Sequence, residues 1–197
     1  MLDDDVRRPL VDMPKIELHR HLEGSVRLDT LVEIAQEYGI EMPEYDVEVL
    51  RPFVQMMPGE TRNAQHFLAK FLTLRQFYRS PEIIRRVARE AVMDAVADNI
   101  KYLELRFTPR ALCNILNCSF ETVIDWVCTE VAATAAQCGI VVRLILSMNR
   151  HESVEIGEHV LLAALAFRAQ GVVAIDLAGN EQDFPAEPFQ KVFEQAK

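Results

Sequence analysis

Two histidines, His19 and His21, stand two residues apart in the segment Met13-Pro14-Lys15-Ile16-Glu17-Leu18-His19-Arg20-His21-Leu22-Glu23-Gly24-Ser25. The short run over residues 15–18 that precedes them reads as a buried strand. Residues i and i+2 of a strand project from the same face. Two imidazoles presented that way can meet one metal ion with little movement of the chain, and zinc accepts imidazole nitrogens at roughly 2.0–2.1 Å. The H-x-H pattern is weak alone, because it also arises by chance on surfaces and in cores. Its weight comes from its setting at the C-terminal end of a strand, where barrels of alternating strands and helices keep their chemistry. The overlapping His21-Leu22-Glu23 fits the H-x-E of a cytidine-deaminase-type zinc site, but that site also needs P-C-x-x-C. The sequence contains no such motif.

The elements that must position these residues follow from periodicity. Short apolar runs over residues 15–18, 100–107, 140–146 and 172–177 read as buried strands. Helical patterns separate them. Ile83, Ile84, Val87, Ala88, Ala91, Val92, Ala95 and Val96 lie on one face of a helix over 81–97. Ser80 is its cap and Pro81 suits its first turn. Helices over 120–137 and 154–170 are capped by Ser119 and Ser153 and stopped by Gly139 and Gly171. Asn99, Gly139 and Gly171 each precede a strand and tolerate a left-handed backbone. The repeating unit is strand, helix, left-handed cap, strand, which means parallel strands with helical crossovers.

A proline-rich stretch from Ile40 to Arg62 (Pro43, Pro52, Pro58) interrupts the pattern. A helical run over 63–78 follows it, so a helix is inserted after the first strand, on the active-site face of a barrel. Four βα units leave a small open sheet or half of a (βα)8 barrel. The last pattern, Phe189, Val192, Phe193 and Ala196, ends the chain inside a helix with no strand after it. We expect an α/β fold, the N-terminal half of a TIM barrel, with residues 1–197 as one partial domain.

Composition narrows the function classes. Half of the 197 residues are hydrophobic, enough for a large core, and the net charge is −9. That sign disfavours nonspecific binding to nucleic acid or anionic membranes and leaves a small pocket ligand open. Cys113, Cys118, Cys128 and Cys138 form no C-x-x-C pair and read as reduced thiols. The acidic N-terminus lacks the apolar core of a signal peptide, and no apolar run reaches the roughly 18 residues of a membrane span. The expected location is the cytoplasm.

Lys15 to Ser25, followed by Leu28-Asp29-Thr30-Leu31, resembles the first strand and loop of the adenosine deaminase family. Phe67-Leu68-Ala69-Lys70-Phe71 is similar to the family's lid helix, Tyr102 to Pro109 to its second strand, and Val172 to Glu181 to its fourth strand and following loop. The resemblance spans nearly the whole chain. It implies a hydrolytic deaminase with one zinc ion, for which His19 and His21 are two ligands. It implies a purine nucleoside as the bound small molecule. Glu23 stands where many members have an Asp that accepts a hydrogen bond from the ribose 5′-hydroxyl, and its extra methylene blurs the substrate. Gly179 would present its backbone N–H to purine N3. Phe67, Leu68 and Phe71 would gate the pocket.

The resemblance also implies what the chain lacks. The third histidine ligand and the acid that protonates the purine belong to a His-Ala-Gly-Glu motif after the fifth strand, and a further His and an Asp pair come later. No catalytic acid or base is expected within residues 1–197, so the chain alone should be inactive without the C-terminal half of the barrel. Related dinuclear enzymes need a Lys at the end of the fourth strand, and residues 172–181 hold none. Adenosine or deoxyadenosine is the expected substrate. Another 6-aminopurine (adenine or an aminofutalosine-type nucleoside) and a noncatalytic metal-binding subunit are the alternatives. Glu104 and Arg106 share a strand face and could pair. Arg150 and His151 are expected to brace a loop, Asp176 and Glu181 to order the Gly179 loop, His66 and His159 to be ordinary helix residues, and Trp126 to lie in the core.

Overall fold

The computed structural model describes residues 4–42 and 44–197; Pro43 and Met1 to Asp3 lie outside the described residues. Four parallel strands, β1 (Lys15–His21), β2 (Ile100–Phe107), β3 (Val141–Asn149) and β4 (Val172–Ala178), form one open sheet in sequence order. Helix α1 (Asp4–Asp12) precedes β1, and the crossovers are α5 (Pro81–Ala97), α7 (Phe120–Cys138) and α8 (Val154–Ala166). These are four βα units of a (βα)8 barrel, and among the described residues β1 and β4 each have one neighbouring strand.

The helices cover one face of the sheet. Leu103, Leu105 and Phe107 of β2 and Leu144, Leu146 and Met148 of β3 are buried on that side. Residue by residue, these alternate with Glu104, Arg106, Ile145, Ser147 and Asn149 on the opposite, inner face. The polar inner residues are the ones a barrel interior would enclose. Three of the strands extend further than their apolar runs. β1 continues through His19 and His21, β3 through Asn149 and β4 through Ala178. Hydrophobic periodicity could not register the ends of β1 and β3, because polar residues there (His19, Arg20 and His21; Ser147 and Asn149) interrupt the apolar runs.

Between β1 and α5 lie three helices, α2 (Leu28–Tyr38), α3 (Val47–Val54) and α4 (Ala64–Arg75), where sequence periodicity points to one inserted helix. Asp46 caps α3 by accepting from Glu48 N at 2.8 Å and Val49 N at 3.2 Å, and Pro52 sits inside it. The proline run therefore does not abolish helix there, because a proline in the last turn of so short a helix displaces few backbone bonds. Another helix, α6 (Pro109–Leu116), follows β2 and contains Cys113. Ser80 and Ser119 accept from Ile83 N and Thr122 N at 3.2 Å each, as expected of caps. Ser153 makes no side-chain cap bond, and its helix ends at Ala166, before a separate 3-10 turn over Arg168–Gln170. Asn99 and Gly139 hold the left-handed backbone, φ 57° and 68°, just before β2 and β3. The last helix, α9 (Gln190–Gln195), follows a 3-10 turn and buries Phe189 and Val192. Phe189 packs where Gly157 of α8 leaves no room for a side chain. Among the described residues, no helix is long and apolar enough to cross a membrane.

Candidate metal and substrate site

The C-terminal end of β1 brings the two histidines together. His19 Nε2 and His21 Nε2 lie 3.2 Å apart, with ring planes tilted by 55°. Two bonds of roughly 2.0–2.1 Å meeting at a tetrahedral angle put their nitrogens about 3.3 Å apart. The imidazole pair therefore fits two corners of a zinc site. Burial lowers the His21 pKa, opposed by the nearby Glu23 and Asp176 carboxylates. The neutral ring that burial favours is the form that ligates metal. Among the described residues, no group of three or more His, Cys, Asp and Glu side chains is arranged to hold a metal ion. The described residues thus present two candidate donors, His19 and His21.

A 3-10 turn over Leu22–Gly24 carries the chain away from β1. Ser25 Oγ donates to His21 O at 2.6 Å, and the buried Tyr78 hydroxyl donates to Leu22 O at 3.3 Å. Both bonds fix the backbone leaving the histidine pair. Gly24 lies close beneath Phe71: a Cβ there would stand 3.3 Å from the ring, which would have to shift by a few tenths of an ångström. Phe71 in turn meets His21 edge-on at 6.2 Å and Phe67 at 5.4 Å between ring centroids. An open cleft of about 490 Å³ lies along the β1 edge beneath α4, with His19, His21, Phe67 and Phe71 on its walls. Leu68 is half-buried and does not line it.

Lys70, on the same helix, also faces the cleft, a residue whose role was hidden among helix-forming neighbours. Its Nζ donates to Glu60 Oε1 at 3.1 Å and to Pro52 O. His66 Nε2 lies 3.1 Å from Glu60 Oε2. Glu60 thereby ties the α3–α4 connection to α4, and the Lys70 hydrogen bond is the main reason its carboxyl titrates below the ordinary range.

Glu23 points away from the cleft. It is 1% exposed, and Oε1 accepts from Thr108 N at 2.9 Å, at the start of α6. Its Oε2 is buried and without a hydrogen-bond partner among the described residues. Gly179 follows β4 with φ 114°, a conformation that favours glycine. A Cβ there would meet only ordinary contacts, 3.7 Å from Arg150 N, so backbone conformation rather than crowding selects glycine within these residues. Gly179 is exposed and lies apart from the β1 cleft. Arg150 braces its loop: Nη2 donates to Glu181 Oε1 at 3.1 Å and Nη1 to Phe184 O at 3.5 Å, while His151 meets the Phe184 ring edge-on.

The pairing of Glu104 with Arg106 does not occur. Glu104 accepts from the Tyr102 hydroxyl at 3.0 Å, and Arg106 pairs with Asp176 on β4 instead. Alternation identified which residues share a face of one strand, but only sheet order determines which strands lie opposite. Asp176, which sequence assigned to the Gly179 loop, sits on the inner face beside Ser147. His159 contacts Glu121 at 3.2 Å and stacks on Phe120, and Trp126 is half-buried against the core.

The sequence model of the adenosine deaminase family matches residues 14–197. An adenosine deaminase of Clostridium perfringens is 34% identical over 188 residues, which is 95% of this chain and 56% of that protein. An amidohydrolase from Burkholderia ambifaria, solved with bound zinc, superposes with a TM-score of 0.82 at 27% identity, covering 98% of this chain and 52% of its own. An adenine deaminase from Arthrobacter aurescens superposes with a TM-score of 0.79 at 25% identity, over 93% and 54% of the two chains. The chain thus spans about half the length of the curated relatives it matches. A histidine pair at metal-ligand spacing, at the C-terminal end of the first of four parallel βα units, accompanies a sequence match over residues 14–197, and the chain belongs to the adenosine deaminase family.

Proposed function

We propose that this chain supplies the N-terminal half of the active site of a zinc-dependent deaminase acting at C6 of adenosine or deoxyadenosine, giving inosine or deoxyinosine and ammonia. The observation that carries this reading is the 3.2 Å approach of His19 Nε2 and His21 Nε2 in a chain of this family. His19 and His21 would hold a zinc ion from one side, and the ion would supply the Lewis acidity that makes water a competent nucleophile near neutral pH. Phe67 and Phe71 cover the cleft beside them and limit water access, and Gly179 offers its backbone N–H to the purine ring. The remaining ligands and the group that protonates the purine lie outside residues 1–197. The substrate is a small molecule bound at neither a nucleic-acid nor a membrane surface, in the cytoplasm.

The test compares the full-length protein with its His19→Ala variant and with residues 1–197 alone. We expect zinc-dependent release of ammonia from adenosine by the first only. Turnover by residues 1–197 alone would sink the half-site reading, and undiminished turnover by His19→Ala would sink the ligand assignment.

A second reading, deamination of another 6-aminopurine such as adenine or an aminofutalosine-type nucleoside, is favoured by one observation. The Glu23 carboxylate is committed to Thr108 N and lies outside the cleft, so it offers no contact to a ribose hydroxyl in this arrangement. Relative kcat/KM for adenosine, deoxyadenosine, adenine and an aminofutalosine-type nucleoside decides between the two readings.

A further inference from the structure

We propose that Arg106 is a positioning residue that holds the β1 backbone in the one register that turns both histidines toward the metal. The inference rests on the reading of His19 and His21 as ligands. Its starting point is an irregularity in β1. Glu17 pairs with Leu103 and Arg20 with Leu105, so β1 advances three residues while β2 advances two. Leu18 and His19 have no partner of their own in that register. This is one extra residue in β1, a β-bulge, a feature common beside active sites; a separate shift at the start of the pair, between Lys15 and Ile16, puts the extra residue in β2 instead.

The bulge changes which face each side chain takes. Leu103 and Leu105 are buried beneath the helices, so Glu17 and Arg20 lie on that side. Arg20 accordingly donates to Glu17 at 3.0 and 2.5 Å and to Ala91 O of α5 at 3.1 Å. In a regular strand, His19 and His21 would follow Glu17 onto the helix side. After the extra residue, His21 falls opposite Arg106 on the inner face, with His19 Nε2 beside it. The irregularity thus makes the two-histidine site possible.

Arg106 is the side chain that reaches the bulge. Its Nη2 donates to Leu18 O at 2.9 Å, at the residue just before His19. Its Nη1 pairs with Asp176, so one planar guanidinium links the β1 bulge to β4. The group is 8% exposed, and Arg106 Nε, Asp176 Oδ1 and Ser147 Oγ are buried without hydrogen-bond partners among the described residues. A rigid fork can span the two acceptors; a lysine ammonium, a point donor, cannot reproduce that span.

The experiment measures zinc affinity of the full-length protein by competition with a chromophoric chelator, alongside thermal unfolding, for wild type, Arg106→Lys, Asp176→Asn, the double variant of these two, and His19→Ala. Loss of groups that orient metal ligands typically weakens metal binding about 10–100-fold. We expect a loss of that size for Arg106→Lys and a smaller one for Asp176→Asn, which leaves the Leu18 contact in place. The double variant should lose less than the product of the two, because both act through one guanidinium. If Arg106→Lys does not fold, Asp176→Asn carries the test. A purely structural pair would lower the melting temperature and leave zinc as tightly bound as in wild type, which overturns the proposal. If His19→Ala binds zinc as tightly as wild type, it is the ligand assignment that fails instead.

Discussion

At the scale of single residues, the chemistry is governed by what each side chain is already bonded to. His19 and His21 have their Nε2 atoms turned on each other, while Glu23 has spent one carboxylate oxygen on Thr108 N. The cysteines divide the same way. Burial pushes the Cys113 and Cys128 thiols up to about 12, and Cys113 also donates to Ser119 O at 3.2 Å. The thiolate is the nucleophile, and at pH 8 such a thiol is ionised to about one part in ten thousand. Brief iodoacetamide treatment at pH 8 should therefore label the exposed Cys138 and spare Cys113 and Cys128, as read by peptide mass mapping. Raising the pH toward 10 leaves the latter two ionised to only about one part in a hundred, so they should still label far more slowly than Cys138 while the fold persists. Gly179 is a different kind of constraint. Its φ of 114° strains any residue with a Cβ, so Gly179→Ala should destabilise the protein by about 1–3 kcal/mol in denaturant melts. The contacts a Cβ would meet there, 3.7 Å from Arg150 N and 3.9 Å from Arg150 Cβ, are ordinary, so little of this loss should come from steric clash.

At the scale of elements, helix ends that look alike in sequence are not equivalent. Ser80 bonds Ile83 N, whereas Ser153 leaves the start of α8 to its backbone carbonyl, which accepts from Ile156 N and Gly157 N. Ser80→Ala should cost about 1 kcal/mol, the usual worth of a side-chain cap, and Ser153→Ala close to nothing. Paired urea titrations check the contrast. The serine type alone could not separate the two, because capping depends on a rotamer chosen by neighbouring packing. Crossover helices α5 and α7 and the left-handed caps at Asn99 and Gly139 were legible because long amphipathic patterns and positive-φ residues are local properties. The insert was less legible. Helices α2 and α3 are short, and what fastens α3 and its connection to α4 is Lys70, which donates to Pro52 O eighteen positions away and to Glu60 ten positions away.

At the scale of the whole molecule, the sheet has two unpaired edges. Ile16 and Leu18 of β1 are 70% and 56% exposed, and Val173 of β4 is 52% exposed. Open apolar strand edges recruit other strands. Residues 1–197 expressed alone should therefore associate with rising concentration in light scattering, and Ile16→Lys with Val173→Lys should suppress it. Monomeric behaviour of the unaltered residues across the concentration series would contradict this reading of the edges. The sequence by itself determined the alternation of strands and helices, the family, and the spacing that lets two histidines share a face, because these depend on residue types at short separation. It did not determine that Arg106 would meet Asp176 rather than Glu104, that Glu23 would turn inward to Thr108, or that β1 would carry an extra residue before His19. Those outcomes depend on which strand lies beside which and on where buried polar groups find partners, and only the tertiary structure fixes both.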